Sequence, residues 1–407
     1  MNYPFTLHLP GSFVEATDRG KNFYFAFPEN QGRNFEVSLH IMTESESEVT
    51  VRVSALRDRL SQTVKVSKEN SAEVEIFGTS IEDLVLTSTL QSDRGVRVRV
   101  VDGDPNKVVS VTAFSELEYQ SGGVLVPSAE GCNLLQFDSE EVTYYAIAYS
   151  FDNPEEEFTS FVIIVGQHDG TVVRVTPNQA AHIGSQFVTS MGQSKTVLLN
   201  RMETLMVKST YDLTGSKVTG WSGKAIAFYC GHTSTEIPRG VQHDDFIGES
   251  VPPVGLWGKC YNTAPFLTRQ GFDLFRVLAA FPATRVTVDC WLQQNHTQLN
   301  FTLSEGEFWE SGDNTSHPAV ISSEHFCTIC GSKPILVVQF NTGAFADAVV
   351  GTNPSMIVVP AISSYGNSVT MTLGPTRWNN YDNYVNLIVS SADLQLGEGA
   401  HYLCSEW

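Results

Sequence analysis

The chain repeats itself, and the repeated text is β-strand text. Lys107 opens KVVSVTAF, Lys224 opens KAIAFYCG and Lys333 opens KPILVVQF. Each is a lysine followed by apolar, β-favouring residues. A second triplet lies upstream: EVTVRV from Glu48, GTVVRV from Gly170 and ATRVTV from Ala283. Both sets advance in step by about 110 to 120 residues per copy, as a duplicated unit would. Upstream copies alternate, with Val49, Val51 and Val53 against Thr50, Arg52 and Ser54, the period of a half-buried antiparallel strand. Downstream copies such as Ile335 to Val338 are continuously apolar and belong in a sandwich interior. Turn residues precede two upstream strands, in Gln167-His168-Asp169-Gly170 and Phe281-Pro282-Ala283-Thr284.

The expected fold is therefore all-β: three internally repeated antiparallel β-sandwich-like units packed together. Their expected bounds are residues 1–127, 128–252 and 253–360, with 361–407 supplying closing strands or a partial fourth unit. A chain of 407 residues is long enough for two or three domain-sized cores. The joining segments GVLVPSAEG, SVPPVGLWG and MIVVPAISSYG echo one another. No Ser/Gly-rich, Pro-rich or charge-block spacer separates the units, which predicts rigid packing. YVNLIV from Tyr384 reads as a further upstream-type strand.

Twenty-five basic side chains stand against 45 acidic ones, a formal charge of −20. Phosphate neutralisation needs clustered Lys and Arg, so no nucleic-acid partner is expected. The acidic run Glu44 to Glu48 reads as a solvated hairpin tip. No apolar stretch approaches the roughly 20 residues of a membrane-spanning helix. The amino terminus MNYPFTLHLPGSF has neither the basic nor the apolar region of a secretory signal. Two other features point outside the cell. Sequons fall at Asn295, Asn300 and Asn314, within one short polar segment, and suggest a glycan-bearing surface. Seven cysteines, at positions 132, 230, 260, 290, 327, 330 and 404, fit an oxidising compartment. The expected localisation is secreted or extracellular, the chain being a segment of a longer protein. The odd count leaves one thiol free or paired outside it. Cys327-Thr-Ile-Cys330 has no second CxxC for zinc and no strand-to-helix setting for redox exchange, so structural disulfides to separate partners are expected.

One segment departs from the repeat. Gly231 to Phe266 concentrates His232, Glu236, Arg239, His243, Asp244, Asp245, Glu249, Trp257, Lys259 and Tyr261. Two readings stay open. In the structural one, His232 bonds a backbone carbonyl, Asp244 and Asp245 cap turns, and Trp257 fills a groove between units. In the functional one, His232, Glu236, Arg239, His243, Asp244, Asp245, Trp257 and Lys259 form a partner-binding surface, with the charged residues from Glu236 to Asp245 facing solvent. The histidines lack ligand spacing, so neither a metal nor another cofactor is expected, and no catalytic residue is assigned.

The order KAIAFYCGH, PPVGLWGKCYNTAPF and FRVLAAFPATRVTV resembles the amino-terminal domain family of IgGFc-binding protein. The matching positions are Lys224, Gly231, His232, Pro252, Pro253, Val254, Trp257, Gly258, Lys259, Thr263, Ala264, Pro265, Arg276, Val277 and Val288. The likeness is densest over about residues 150 to 370, and GKNFYFAFPEN from Gly20 is similar to the family's opening. It implies a secreted, non-enzymatic recognition or adhesion module. The partner would be an extracellular protein, immunoglobulin-like or mucin, or a glycan. Two alternatives compete with it. One is a glycan-processing hydrolase using Asp244 with Glu249, or Glu305 with Glu307, as paired carboxylates. The other is a structural spacer that binds nothing.

Overall fold

The two sets of repeated strands touch each other through their lysines. Lys107 Nζ donates to the carbonyl of Glu48 at 2.6 Å, Lys224 Nζ to that of Asp169 at 2.7 Å, and Lys333 Nζ to that of Pro282 at 2.5 Å. Each carbonyl lies just before an upstream strand: Val49–Ala55, Thr171–Thr176 or Thr284–Leu292. Each lysine lies just before a downstream one: Val109–Leu117, Ile226–Thr235 or Ile335–Asn341. Each ammonium ties the turn before an upstream strand to the start of the downstream strand 51 to 59 residues further on. Gly170 and Ala283 hold the matching turn position with φ of 67° and 51°.

The computed structural model describes residues 5–8, 18–30, 36–75, 84–117, 120–130, 141–150, 158–188, 192–221, 224–266, 269, 272–292, 295–311, 325–346, 352–365, 368–371, 386 and 388. The fold is all-β, and the sheets of four or more strands are antiparallel throughout. Three four-stranded front sheets share one order. The first runs Asn22–Phe25, Val96–Val100, Val49–Ala55, Leu60–Val66; the second Glu141–Tyr145, Lys217–Trp221, Thr171–Thr176, Lys195–Leu199; the third Cys260–Thr263, Phe326–Gly331, Thr284–Leu292, Asn295–Leu303. The upstream strands stand third in each. Three back sheets carry the downstream strands. The first is Gln120–Val126, Val109–Leu117, Glu36–Met42, Ala72–Glu75, with Arg19–Gly20 added to the second strand. Next comes Asp245–Ser250, Ile226–Thr235, Ser160–Gly166, Thr204–Ser209, extended by Ala181–Ile183 and Gln186–Val188. The last is Ser355–Val358, Ile335–Asn341, Leu274–Ala279, Phe308–Glu310. The downstream strands stand second in each.

Continuous apolarity in the downstream strands has a direct cause: both faces of the second and third back sheets are covered. Phe161, Ile163, Val165, Ala227 and Tyr229 join the core of the first sheet pair, while Val162, Ile164, Ile226 and Phe228 join that of the second. Leu274, Leu278, Leu336, Val338 and Phe340 also enter the second core, and Phe275, Val277, Ile335 and Val337 the third. Successive side chains of a strand point to opposite faces, so each of these strands builds two cores. The first core therefore draws residues from both sides of position 127, and the second from both sides of position 252.

Strand Phe326–Gly331 is stapled to both neighbours. Cys330 is bonded to Cys260 and Cys327 to Cys290, with Cα atoms 4.2 and 4.1 Å apart, each pair directly opposite in register. The CxxC thus serves two structural disulfides with separate partners. Cys230 is a buried free thiol; Cys132 and Cys404 lie outside the described residues. Asn295 and Asn300 sit exposed on strand Asn295–Leu303, and Asn314 lies outside the described residues. In the carboxy-terminal stretch, Ser368–Met371 pairs with Phe5–His8. YVNLIV falls outside the described residues except for Asn386 and Ile388, and Asn386 Nδ2 donates to the Pro265 carbonyl at 3.0 Å. Among the described residues no helix is long and apolar enough to cross a membrane.

Candidate functional site

The Gly231 to Phe266 segment divides into an interior part and a surface part, and the sequence alone did not separate them. Strand Ile226–Thr235 is buried along all ten residues. At Gly231 a Cβ would lie 2.0 Å from the Ile247 carbonyl oxygen, so glycine is required by close approach of the neighbouring strand. His232 is fully buried. Its Nδ1 accepts the Ser234 amide at 3.2 Å, and burial pulls the ring down to about 4, leaving it neutral. The expected bond to a backbone carbonyl is thus replaced by acceptance of a backbone N–H.

Asp245, expected to face solvent, is 2 % exposed. Its Oδ1 accepts the Phe246 amide at 2.7 Å, and burial pushes its carboxyl up to about 8. Glu249, part-buried on the same strand, is pushed up to about 8 by the same cause. A group whose folded pKa is raised contributes stability below its unfolded value and loses it as pH rises through the folded value. Buried neutral His232 works the other way between about pH 4 and pH 6.5, so the unfolding temperature is expected to fall most clearly between about pH 6.5 and pH 8, and Asp245→Asn to flatten that fall in melts across the range. An unchanged slope in the variant would exclude Asp245 as its source.

Trp257 is also interior. Pro252 and Pro253 fix the backbone ahead of a 3-10 turn at Val254–Leu256. The indole Nε1 donates to the Pro252 carbonyl at 2.9 Å, and the ring packs in the second core near Tyr145. That core joins residues of the second and third sheet pairs, so the groove-filling reading holds. Gly258 is needed because a Cβ would lie 2.4 Å from that of Ala361. Lys259 is exposed.

The longest stretch that remains on the surface is the loop from Glu236 to Asp244. Ile237 is buried, and its carbonyl accepts the Gly343 amide at 2.6 Å, tying this loop to the next. Arg239 and His243 are exposed, while Glu236 and Asp244 are partly buried. Asp244 accepts the Ser234 hydroxyl. The His243 ring stacks on Phe345 at 4.6 Å and 22° between planes, and Phe345 is 62 % exposed. Phe345 was not singled out from the sequence. Its only signal there was an aromatic residue amid small ones in NTGAFADA.

A second unforeseen assembly lies inside. Arg276, alone in the apolar run LFRVLA, is 4 % exposed. It donates to Asp212 at 2.6 Å, to Glu310 at 2.7 Å and to the Thr214 hydroxyl at 2.9 Å. The Tyr149 and Phe308 rings lie 4.6 and 4.5 Å from the guanidinium carbon. Burial works to lower the pKa of Arg276, but Asp212 and Glu310 more than offset it and hold the charge. Among the described residues no group of three or more His, Cys, Asp or Glu converges as a metal site.

The family model described as IgGFc binding protein matches residues 132–400. The chain belongs to this family. The match starts beyond the first front and back sheets, so the likeness of GKNFYFAFPEN to the family's opening rests on the sequence alone. No curated protein matches. Within the family stretch, the motif residues Gly231, His232, Trp257, Gly258 and Arg276 serve packing and internal bonding, and the exposed loop lies between them.

Proposed function

We propose that the chain is an extracellular recognition module that binds a protein partner, without catalytic activity. The single observation that carries this is the Arg239, His243 and Phe345 patch: two exposed polar residues and a stacked, exposed aromatic on loops bonded to each other. Aromatic and arginine side chains dominate protein-binding hot spots, and a loop held in place before binding loses less entropy on association. Membership of a family described as IgGFc binding protein makes an immunoglobulin Fc fragment the first partner to test.

Of the two carboxylate pairs considered for a hydrolase, Glu305 with Glu307 is engaged in internal bonds, which supports the binding reading. Glu305 accepts the Tyr145 hydroxyl at 2.6 Å and Lys217 at 2.8 Å, and Glu307 accepts the Ser304 amide at 2.7 Å. The two disulfides support an oxidising compartment, and exposed Asn295 and Asn300 would carry glycans there.

Surface plasmon resonance on immobilised Fc tests the reading. Binding by the native chain should weaken about 30-fold or more when Arg239, His243 and Phe345 are changed together to alanine, with the unfolding temperature nearly unchanged. Equal binding by the variant would remove this patch from the interface. If Fc does not bind, the same pair of proteins on an array of extracellular proteins decides whether the patch reads another partner.

A further inference from the structure

In a chain of net charge −20, four arginines face one another across a pocket on the first front sheet. The pocket holds about 260 Å³ and is lined by Arg52, Arg97, Arg99 and Arg201, with Asp58 at its edge and the hydroxyls of Ser54 and Ser61. Strand alternation produces it. Val51, Val53, Val96 and Val98 point into the first core, so Arg52, Arg97 and Arg99 point out from the opposite face. Arg52 stands directly opposite Arg99, and Arg97 opposite Ser54. Like charges directly opposite on neighbouring strands are destabilising. Arg201 arrives from the turn between Lys195–Leu199 and Thr204–Ser209, in the second sheet pair.

Compensation within the protein is small. Among the described residues, Arg52, Arg97 and Arg99 have no carboxylate within ion-pair distance, and Asp58 lies 3.6 Å from Arg201 alone. Arg97 donates from Nη2 to Asn22 at 2.9 Å, while its buried Nε has no hydrogen-bond partner. The turn that carries Asp58 holds Leu56, Arg57 and Asp58 at φ of 52°, 54° and 66°, left-handed without a glycine, a conformation that costs L residues energy. An orphaned donor, mutual repulsion and a strained turn converge on one small cavity.

We propose that this pocket binds a tetrahedral oxyanion, the sulfate or phosphate monoester of a compact polar ligand such as a monosaccharide. Guanidinium groups match such oxyanions through paired N–H donors, and the serine hydroxyls can complete the set. The volume admits one esterified ring rather than a polymer. The acidic remainder of the molecule repels long polyanions while leaving a short-range site for a small one.

Isothermal titration of the full chain at low ionic strength, with glucose 6-sulfate, glucose 6-phosphate, unmodified glucose and a DNA duplex, tests this. Saturable binding of an ester, with none of glucose, is expected; whichever ester binds more tightly identifies the source. Arg52→Ser with Arg99→Ser should weaken the ester about tenfold or more, with an unfolding temperature equal to or above that of the native chain because repulsion is relieved. Lys65→Ser with Lys68→Ser removes two charges that already pair with Glu48 and Glu46 and should leave binding intact. Should the first pair fail to fold, Arg201→Ser must show the same loss. Absence of ester binding, equal loss in the lysine variant, or tighter binding of the duplex would each overturn the proposal.

Discussion

Replacing Arg276 by alanine is expected to destabilise the protein by about 3–5 kcal/mol, because it leaves two carboxylates in the interior without their cation. Asp212 belongs to the second sheet pair, and Arg276 and Glu310 to the third, so the loss falls on the contact between them. Guanidinium unfolding should show an earlier midpoint. The companion experiment replaces all three residues, Arg276→Met, Asp212→Leu and Glu310→Leu, and should recover most of the loss, since an apolar triad costs no desolvation. Lysine at 276 should recover little, having no planar fork to reach both acids. If Arg276→Ala unfolds within about 1 kcal/mol of the native chain, the network contributes little net stability.

The second large effect concerns the disulfides. Cys260–Cys330 closes a loop with a sequence separation of 70 and Cys290–Cys327 one of 37. Each should contribute about 2–5 kcal/mol, through restriction of the unfolded chain in the entropic account. Changing Cys260 and Cys330 to serine, Cys290 and Cys327 to serine, or all four is expected to lower the calorimetric transition stepwise. Alkylation should reach these four sulfurs only after reduction. Cys230 should resist throughout while folded, because it is buried and its thiol is pushed up to about 12 by burial. A native chain whose melting is indifferent to reductant would contradict the assignment of structural bonds.

Strand identity was legible because the signal is local. Alternation in EVTVRV and unbroken apolarity in KPILVVQF follow from one face or two faces being covered, and both survive in a single line of text. The lysines were visible as a pattern but not as a cause, since their bonds to Glu48, Asp169 and Pro282 span more than 50 residues. The candidate surface was only half legible. Polar residues in a loop and polar residues in a buried strand read alike, so His232 and Asp245 were grouped with Arg239 and His243. The arginine pocket was hidden for the opposite reason. Its members lie at positions 52, 97, 99 and 201, far apart in the chain and adjacent only after strand pairing. Arg276 left a trace in the text, a lone cation in an otherwise apolar strand, but its partners Asp212 and Glu310 did not.

Shared cores also set a timetable for synthesis. The first core includes Phe161, Ile163, Val165, Met206, Tyr229 and Phe246, so a nascent chain cannot complete it until residue 246 has left the ribosome. Until then Phe25, Phe27, Leu84 and Leu86, which belong to the same cluster, lack part of their cover. The second core waits in turn for Met356. The usual order, in which an amino-terminal domain closes while the rest is still being made, is thereby delayed by more than a hundred residues at each step. Exposed apolar strands during each interval are the natural clients of holding chaperones.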